Sequence, residues 1–300
     1  GVFLKSGDAL ERIANSDHIV FDKTGTLTLG QPRLISTDVQ VGTLEHAARL
    51  ARASRHPLSR ALVDAVGPGT LAEDVREHAG LGLEGVIDGQ PARLGSAEWV
   101  GVETSAPSTT LWYSEGDQPP VRLDFEDELR GRASEAIAAL KARGFTLEIV
   151  SGDRPAAVEA VADALGIETW QSGVKPAGKA ERLEALGADG KKALMIGDGL
   201  NDAGALSLAH AALAPGGAMD VSQSASDAVY RGGDLMAVVD TVDAARRARS
   251  AMLQNFTLAA LYNVIAVPIA VAGFATPLVA AIAMSASSLI VTLNALRQNY

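Results

Sequence analysis

The longest charge-free stretch of the chain is residues 250–296, between Arg249 and Arg297, where 47 consecutive residues include no Asp, Glu, Lys or Arg. One transmembrane helix needs about 20 apolar residues, so this stretch is long enough for two. Gly273 and Thr276-Pro277 predict the turn between them. Basic residues at both outer ends indicate that both ends lie in the cytoplasm. A buried helical hairpin of a soluble protein is the alternative, but soluble helices rarely lack charge over such a length.

The composition excludes several classes of protein. The 300 residues are 47% hydrophobic and 21% charged, with a net charge of −10. A disordered chain would be less apolar, and a nucleic-acid-binding protein would need a basic face, so we expect no nucleic acid as a partner. The absence of cysteine excludes disulfides and thiolate metal ligands within these residues. Because the chain begins at Gly1 without Met or a signal peptide, we expect an internal piece of a longer protein.

Ahead of the charge-free stretch, short apolar strands alternate with amphipathic helices, which predicts an α/β fold with a doubly wound parallel sheet. Residues 1–17 are expected to form a lead-in helix. The segment 38–120, helical at first and then rich in short strands and turns, interrupts this alternation. The predicted organisation is therefore one α/β domain made of 1–36 and 121–245, an inserted α+β domain over 37–120, and two transmembrane helices over 250–297.

Three strand ends are followed by polar loops, namely Asp22 to Thr26, Ser151 to Asp153 and Gly197 to Asp202. In a parallel sheet these loops emerge at the same edge and can converge. Their carboxylates, among them Asp198, offer the hard oxygen ligands that Mg²⁺ prefers. Lys179 adds a cation for phosphoryl oxygens. A nucleophilic carboxylate, hydroxyls, a lysine and metal ligands together favour phosphoryl transfer.

The sequence Asp22-Lys23-Thr24-Gly25-Thr26-Leu27-Thr28 resembles the phosphorylation motif of P-type ATPases, and the later loops resemble the rest of their haloacid-dehalogenase-like domain. The resemblance implies that Asp22 is phosphorylated from ATP. It also implies that Mg²⁺ is held by Asp22, Asp198, Asp202 and the backbone of Thr24, with Asn201 in support. The other catalytic residues that it implies are Lys23, Gly25, Thr26, Ser151, Gly152, Asp153 and Lys179. Ser151 replaces the threonine of many pumps and keeps its hydroxyl.

The residue two positions after Asp22 separates a pump from a phosphatase. Soluble phosphatases of this superfamily have a second Asp there, which acts as a general acid and base when the intermediate is hydrolysed. This chain has Thr24. The aspartyl-phosphate is therefore expected to persist, as a pump requires.

The inserted segment has a His56-Pro57 pair and a Gly80-x-Gly82-x-x-Gly85 loop. The loop neither follows a βαβ strand nor opens a helix, so a dinucleotide fold is not expected. The pair and the loop together resemble the nucleotide-binding domain of heavy-metal pumps. That resemblance implies an ATP site at His56, Pro57, Gly80, Gly82 and Gly85. Arg55 replaces the glutamate of the common pattern.

Polar and thioether groups interrupt the charge-free stretch at Tyr262-Asn263, Met284 and Ser288. A thioether favours Cu(I) over harder cations, although Met can also be lipid-facing and Ser a helix-packing residue. These residues resemble the last two helices of Cu(I)-exporting pumps, and more narrowly of the FixI-like pumps for cytochrome oxidase assembly. The resemblance implies that the four residues contact transported Cu(I). A Zn(II) or Cd(II) pump would be expected to have a charged residue here.

The resemblance covers the back half of such a pump, and it implies several partners. We expect membrane lipid, an actuator domain and earlier transmembrane helices from the N-terminal half, and a copper chaperone. The implied location is multi-pass in the plasma or bacterial inner membrane, with the catalytic domains in the cytoplasm. The alternatives are a soluble phosphatase of the same superfamily, a Zn(II) or Cd(II) pump, and a truncated ATP-binding module without turnover.

Overall fold

The computed structural model of the protein describes residues 2–103, 109–198, 202–218, 220–231, 233–274 and 276–296, apart from the side chains of 280, 295 and 296. A seven-stranded sheet forms the first part of the molecule. Its strands lie side by side in the order β1, β13, β12, β11, β2, β9 and β10. In chain order they are β1 (Val2–Leu4), β2 (His18–Phe21), β9 (Thr146–Val150), β10 (Thr169–Gln171), β11 (Ala193–Ile196), β12 (Ala211–Pro215) and β13 (Ala228–Tyr230).

All strands of this sheet run parallel except β1, which pairs antiparallel with β13 at one edge. The two central strands, β2 and β11, are buried at every position, as expected for a parallel sheet covered on both faces. The predicted helix over residues 1–17 is only partly correct. The apolar run Val2-Phe3-Leu4 extends the sheet, and the helix α1 begins at Gly7 and ends at Asn15.

Helices cover both faces of the sheet, so the predicted doubly wound α/β fold is confirmed. One face packs against α1, α5 (Ala133–Ala142), α6 (Pro155–Leu165) and the start of α10 (Met236–Val271). The other face packs against α7 (Pro176–Ala188) and α8 (Ala203–Leu208). A short helix, α9 (Asp220–Ala225), precedes β13. The active edge of the sheet is the one where β2, β9 and β11 end.

A six-stranded antiparallel sheet with its own core forms the second part. Its strands, in chain order, are β3 (Thr28–Leu34), β4 (Glu73–His78), β5 (Gly82–Ile87), β6 (Gln90–Gly95), β7 (Thr109–Glu115) and β8 (Val121–Leu129). Helices α2 (Val41–Ala51) and α3 (Pro57–Val66) cover one face, and α4 (Ala97–Val100) follows β6. Strands β3 and β8 belong to this sheet but lie outside residues 37–120, the range predicted for the inserted domain. The domain limits themselves stay a prediction.

Two long helices end the chain, α10 and α11 (Pro277–Leu296). α10 begins in the core of the first sheet, where Val238, Val239 and Val242 are buried, and then leaves it. Its apolar second half and α11 are each long enough to cross a membrane, and neither apolar window is buried within the protein. Asn294 Nδ2 donates a hydrogen bond to Asn255 Oδ1 at 2.8 Å. This bond joins the two helices at the end of the hairpin that is opposite the turn.

Candidate active site

Asp22 stands directly after the central strand β2. Its backbone N–H donates to Ile196 O at 2.8 Å, which extends the pairing with β11 by one residue and places the carboxylate at the active edge. The chain then turns sharply through Lys23–Leu27, the phosphate loop. Gly25 makes this turn with φ of +75°, a left-handed conformation that favours glycine. The strand and the turn together hold Asp22 almost fully buried.

Lys179, on α7, reaches the carboxylate of Asp22. Its buried Nζ donates to Asp22 Oδ1 at 2.5 Å and to Asp202 Oδ1 at 2.6 Å. Burial alone would lower the pKa of Lys179, but the two carboxylates outweigh it and raise that pKa. The lysine is therefore charged, and it offers a fixed positive group beside the carboxylate of Asp22.

Asp22, Asp198 and Asp202 bring carboxylate oxygens within 4.8 Å of one another. Burial, and then repulsion from Asp202, raises the pKa of Asp22 to about 7 and that of Asp198 to about 6. A divalent cation among these oxygens would relieve the repulsion, and hard oxygen donors of this kind fit Mg²⁺. The residues present therefore fit the implied metal. Asn201 lies outside the described residues.

Gly25 leaves room for the carboxylate of Asp198. A Cβ atom added to it would lie 1.7 Å from Asp198 Oδ2 and 2.6 Å from Asp198 Oδ1. No side chain fits there, because the backbone of the phosphate loop passes directly against Asp198. Glycine is therefore needed at this position for two reasons, the left-handed turn and the close approach to Asp198.

Asp153 joins the second loop to the phosphate loop. Its Oδ2 accepts hydrogen bonds from Thr24 Oγ1 at 2.8 Å and Ser151 Oγ at 3.3 Å, and it lies 2.9 Å from Lys23 Nζ. Burial would raise the pKa of Asp153, but these contacts outweigh it and lower that pKa. Gly152 lies between Ser151 and Asp153 in this turn. The predicted catalytic residues of the two loops therefore form one connected group, and the Thr24 hydroxyl is engaged within it.

Two residues of this group were missed by the sequence analysis. Arg130, just after β8, donates from Nε to Thr26 O at 2.8 Å and from Nη2 to Gly25 O. Asp127, on β8, accepts from Thr28 Oγ1 at 2.5 Å and from the N–H of Gln31 at 2.9 Å. Both residues lie about one hundred positions away along the chain. Only the pairing of β8 with β3 brings them to the phosphate loop.

The second sheet contains a cavity of about 220 Å³ lined by His56, Gly80 and Gly82 among others. Pro57 is the first residue of α3, and His56 caps this helix, its Nδ1 accepting from the N–H of Leu58 at 3.3 Å. Gly85 is not part of the lining. A Cβ there would lie 2.8 Å from Glu73 O and 2.9 Å from a methyl of Leu50, so its space is taken by α2.

The cavity also includes residues that the sequence analysis did not single out, namely Ser54, Glu77, Gly95 and Ser96. Gly82 and Gly95 pair across β5 and β6. A Cβ at Gly82 would lie 2.3 Å from Leu94 O, and one at Gly95 would lie 2.3 Å from Leu81 O. Both glycines are needed for this close packing. A glycine opposite Gly82 had no signal in the linear sequence, since pairing across strands is not visible there.

The four membrane residues do not enclose a site within this chain. Met284 is 68% exposed, Asn263 and Ser288 are also exposed, and Tyr262 is half-buried. Among the described residues, no side-chain hydrogen bond of these four residues joins α10 to α11, and the bond that does join the helices lies at Asn294 and Asn255. A binding site there would need further groups from outside the hairpin.

Comparison with known proteins identifies the relatives of this chain. The haloacid dehalogenase-like hydrolase family matches residues 17–210. The nitrogen fixation protein FixI of Bradyrhizobium diazoefficiens is 44% identical over 99% of the chain. The probable copper-transporting ATPase SynA of Synechococcus elongatus is 36% identical over the whole chain. The chain spans 42% and 41% of the lengths of these two relatives.

Solved structures agree with these relatives. A zinc-transporting PIB-type ATPase in the E2.Pi state superposes on 99% of the chain and 52% of its own length, with a TM-score of 0.89 and 29% identity. The catalytic domain of the CPx-ATPase CopB-B superposes on 81% of the chain and 95% of its own length, with a TM-score of 0.69 and 29% identity. The first likeness includes both apolar helices, so the predicted membrane location is confirmed. The chain belongs to the haloacid dehalogenase-like hydrolase family, and over nearly its whole length it is similar to transport ATPases of the P type.

Proposed function

We propose that this chain is the catalytic half of a pump that exports Cu(I) across a membrane, driven by ATP through a phosphorylated Asp22. The observation behind this proposal is the buried carboxylate of Asp22 at the end of β2, hydrogen-bonded to Lys179 and beside the metal-type carboxylates Asp198 and Asp202. The two apolar helices that continue directly from this domain supply the membrane part.

In the first step an Asp22 oxygen forms a bond to the γ-phosphorus of ATP, and the bond from that phosphorus to the β,γ-bridging oxygen breaks. ADP leaves with the electron pair. Lys179 holds the attacking carboxylate and neutralises charge on the phosphoryl oxygens. Asp22, Asp198, Asp202 and the Thr24 carbonyl would hold Mg²⁺, which would supply further positive charge for the same oxygens. We infer that backbone N–H groups of the turn at Gly25 bind the phosphoryl oxygens.

Water later cleaves the aspartyl-phosphate and restores Asp22. The Thr24 hydroxyl donates to Asp153 and is no substitute for a carboxylate base, so we infer slow hydrolysis unless a base comes from elsewhere. This supports a pump over a soluble phosphatase, because the lifetime of the intermediate allows a conformational change.

ATP would be held by the cavity of the second sheet. We infer that His56, Gly80 and Gly82 contact the nucleotide, with Pro57 setting the start of α3. Glu77 adds a carboxylate acceptor to the lining, and its Oε1 accepts from Ser54 Oγ at 2.7 Å. Gly85 has a packing role in place of the contact implied by the resemblance.

For the transported ion, the relatives differ. SynA is a probable copper-transporting ATPase, whereas one structural neighbour is a zinc-transporting ATPase. The uncharged hairpin favours a soft monovalent ion, since a divalent ion in a low-dielectric bundle would need compensating carboxylates. Tyr262, Asn263, Met284 and Ser288 are the proposed contacts. Their exposure suits a site completed by helices of the N-terminal half, and a copper chaperone would deliver the ion.

The catalytic assignment is tested by Asp22→Asn in the full-length pump. We expect it to abolish an acid-stable, hydroxylamine-sensitive phosphoenzyme formed from ATP, because an amide is not a nucleophile here. Asp163→Asn, the same chemical change on the exposed side of α6, is the control and should label normally. Undiminished labelling of Asp22→Asn would refute the assignment. A wild type that binds ATP but never labels would support a module without turnover.

The ion assignment is tested by Met284→Ala. We expect reduced Cu(I)-stimulated ATP hydrolysis with unchanged ATP binding. Met252→Ala, near the middle of α10 and three residues after Arg249, removes the same side chain away from the proposed site and should leave activation unchanged. Normal Cu(I) stoichiometry in Met284→Ala, or stronger activation of the wild type by Zn²⁺, would favour the zinc alternative.

A further inference from the structure

A cavity of about 950 Å³ lies where α1, α10 and α11 meet, at the base of the hairpin. We refer to it as the junction cavity. Its polar lining includes Arg249, Gln254 and Asn294, and its apolar lining includes Leu253 and Leu258. It shares no residue with the phosphate loop or with the nucleotide cavity.

The two arginines of the junction cavity differ in how they are engaged. Arg246 donates from Nη1 to Arg143 O at 3.3 Å and lies over the ring of Phe145 at 4.5 Å, so it is held by the fold. Arg249 has no hydrogen bond, ion pair or ring contact within the described part of the chain. Arg249 is exposed, so the junction cavity presents a guanidinium that no described side chain neutralises. An occupant that covers it must bring negative charge.

The position of Arg249 indicates the source of that charge. It is the last charged residue before the charge-free stretch, which places it at the cytoplasmic boundary of the membrane. Leu253 and Leu258 follow on the membrane side. A lining that is cationic and polar at one end and apolar at the other matches a lipid phosphate followed by the start of its acyl chains.

The rim of the junction cavity is fixed by the hydrogen bond from Asn294 to Asn255, which holds α11 against α10 at this level. We propose that the junction cavity binds the phosphate headgroup of an anionic phospholipid from the cytoplasmic leaflet. Arg249 pairs with the phosphate, and Gln254 and Asn294 donate to its oxygens. A further helix of the pump lying here would leave Arg249 buried without a counter-charge, unless it brought a carboxylate.

The test measures lipid retained by the full-length pump in nanodiscs of phosphatidylcholine mixed with phosphatidylglycerol, by native mass spectrometry after detergent extraction. We expect the wild type to retain phosphatidylglycerol and Arg249→Gln to retain about five-fold less, the effect of about 1 kcal/mol for one basic residue at a membrane surface. Arg249→Lys should restore most of the binding, because it restores the charge.

Arg247→Gln is the matched control. It removes the same charge two residues away, but Arg247 lines a different cavity with Val2 and Leu10. Equal loss in Arg247→Gln and Arg249→Gln would mean general attraction to the membrane and would overturn the proposal. Equal retention of phosphatidylcholine would overturn it as well. No retained lipid, because another segment covers the cavity, would also overturn it.

Discussion

Arg130→Lys tests whether the phosphate loop is held in place by the guanidinium that contacts it. In the wild type, one planar side chain donates to two successive carbonyls, Thr26 O at 2.8 Å and Gly25 O. Lysine keeps the positive charge, so its field at Asp198 is largely preserved, but an ammonium cannot match the forked geometry. The substitution therefore separates the positioning of the loop from its electrostatics.

The expected size follows from the bonds lost. One hydrogen bond involving a charged group contributes roughly 1.5–3 kcal/mol. If this free energy is lost in the transition state for phosphoryl transfer and not in the ground state, the phosphorylation rate falls about ten-fold to one-hundred-fold. Rapid-quench measurement of phosphoenzyme formation at saturating ATP would give this rate. ATP affinity should be unchanged, because the nucleotide cavity lies in the second sheet.

Arg132→Lys is the control for this prediction. Arg132 is exposed and pairs with Glu135 and Asp234 on the surface, where ion pairs contribute little. It should phosphorylate at the wild-type rate. A normal rate in Arg130→Lys, or an equal loss in both variants, would refute the positioning role.

Three further substitutions probe the two sheets. Gly25→Ala should lower phosphoenzyme formation at least about one-hundred-fold, because the added Cβ displaces the Asp198 carboxylate. Gly30→Ala is the control, since Gly30 also has a left-handed φ of +68° but no atom within 3.4 Å of an added Cβ, and this variant should only lose stability. His56→Gln should weaken ATP binding about ten-fold in calorimetry while phosphorylation by inorganic phosphate is kept; equal ATP affinity would make the histidine structural. Burial would raise the pKa of Glu148, but hydrogen bonds from His18 and Arg182 outweigh the effect of burial and lower that pKa. Its stabilising contribution is therefore present above about pH 4.5, its ordinary value, and is lost as the pH falls below that. Glu148→Gln should lower the free energy of unfolding by about 2 kcal/mol at neutral pH, with less difference from wild type in acid; a constant difference would refute this.

Several features of the protein follow from local sequence. The strand before Asp22, the turn at Gly25 and the later carboxylate loop are each short, contiguous patterns, and a parallel sheet brings such loops to one edge whatever lies between them. The charge-free stretch predicts the hairpin for the same reason, since hydrophobic length is a property of contiguous residues. The lead-in helix was the exception, because three apolar residues at Val2 to Leu4 are compatible with either a helix or an edge strand.

Other features depend on contacts between distant residues, and only the tertiary structure decided them. Arg130 reaches the phosphate loop because β8 pairs with β3, and Gly95 faces Gly82 because β6 pairs with β5. Gly85 belongs to the motif by spacing, yet it packs against α2, since strand residues alternate between faces. The uncompensated charge of Arg249 is likewise a tertiary property. Sequence specifies which residues are present and their local conformation, whereas the pairing of strands and helices determines which of them meet.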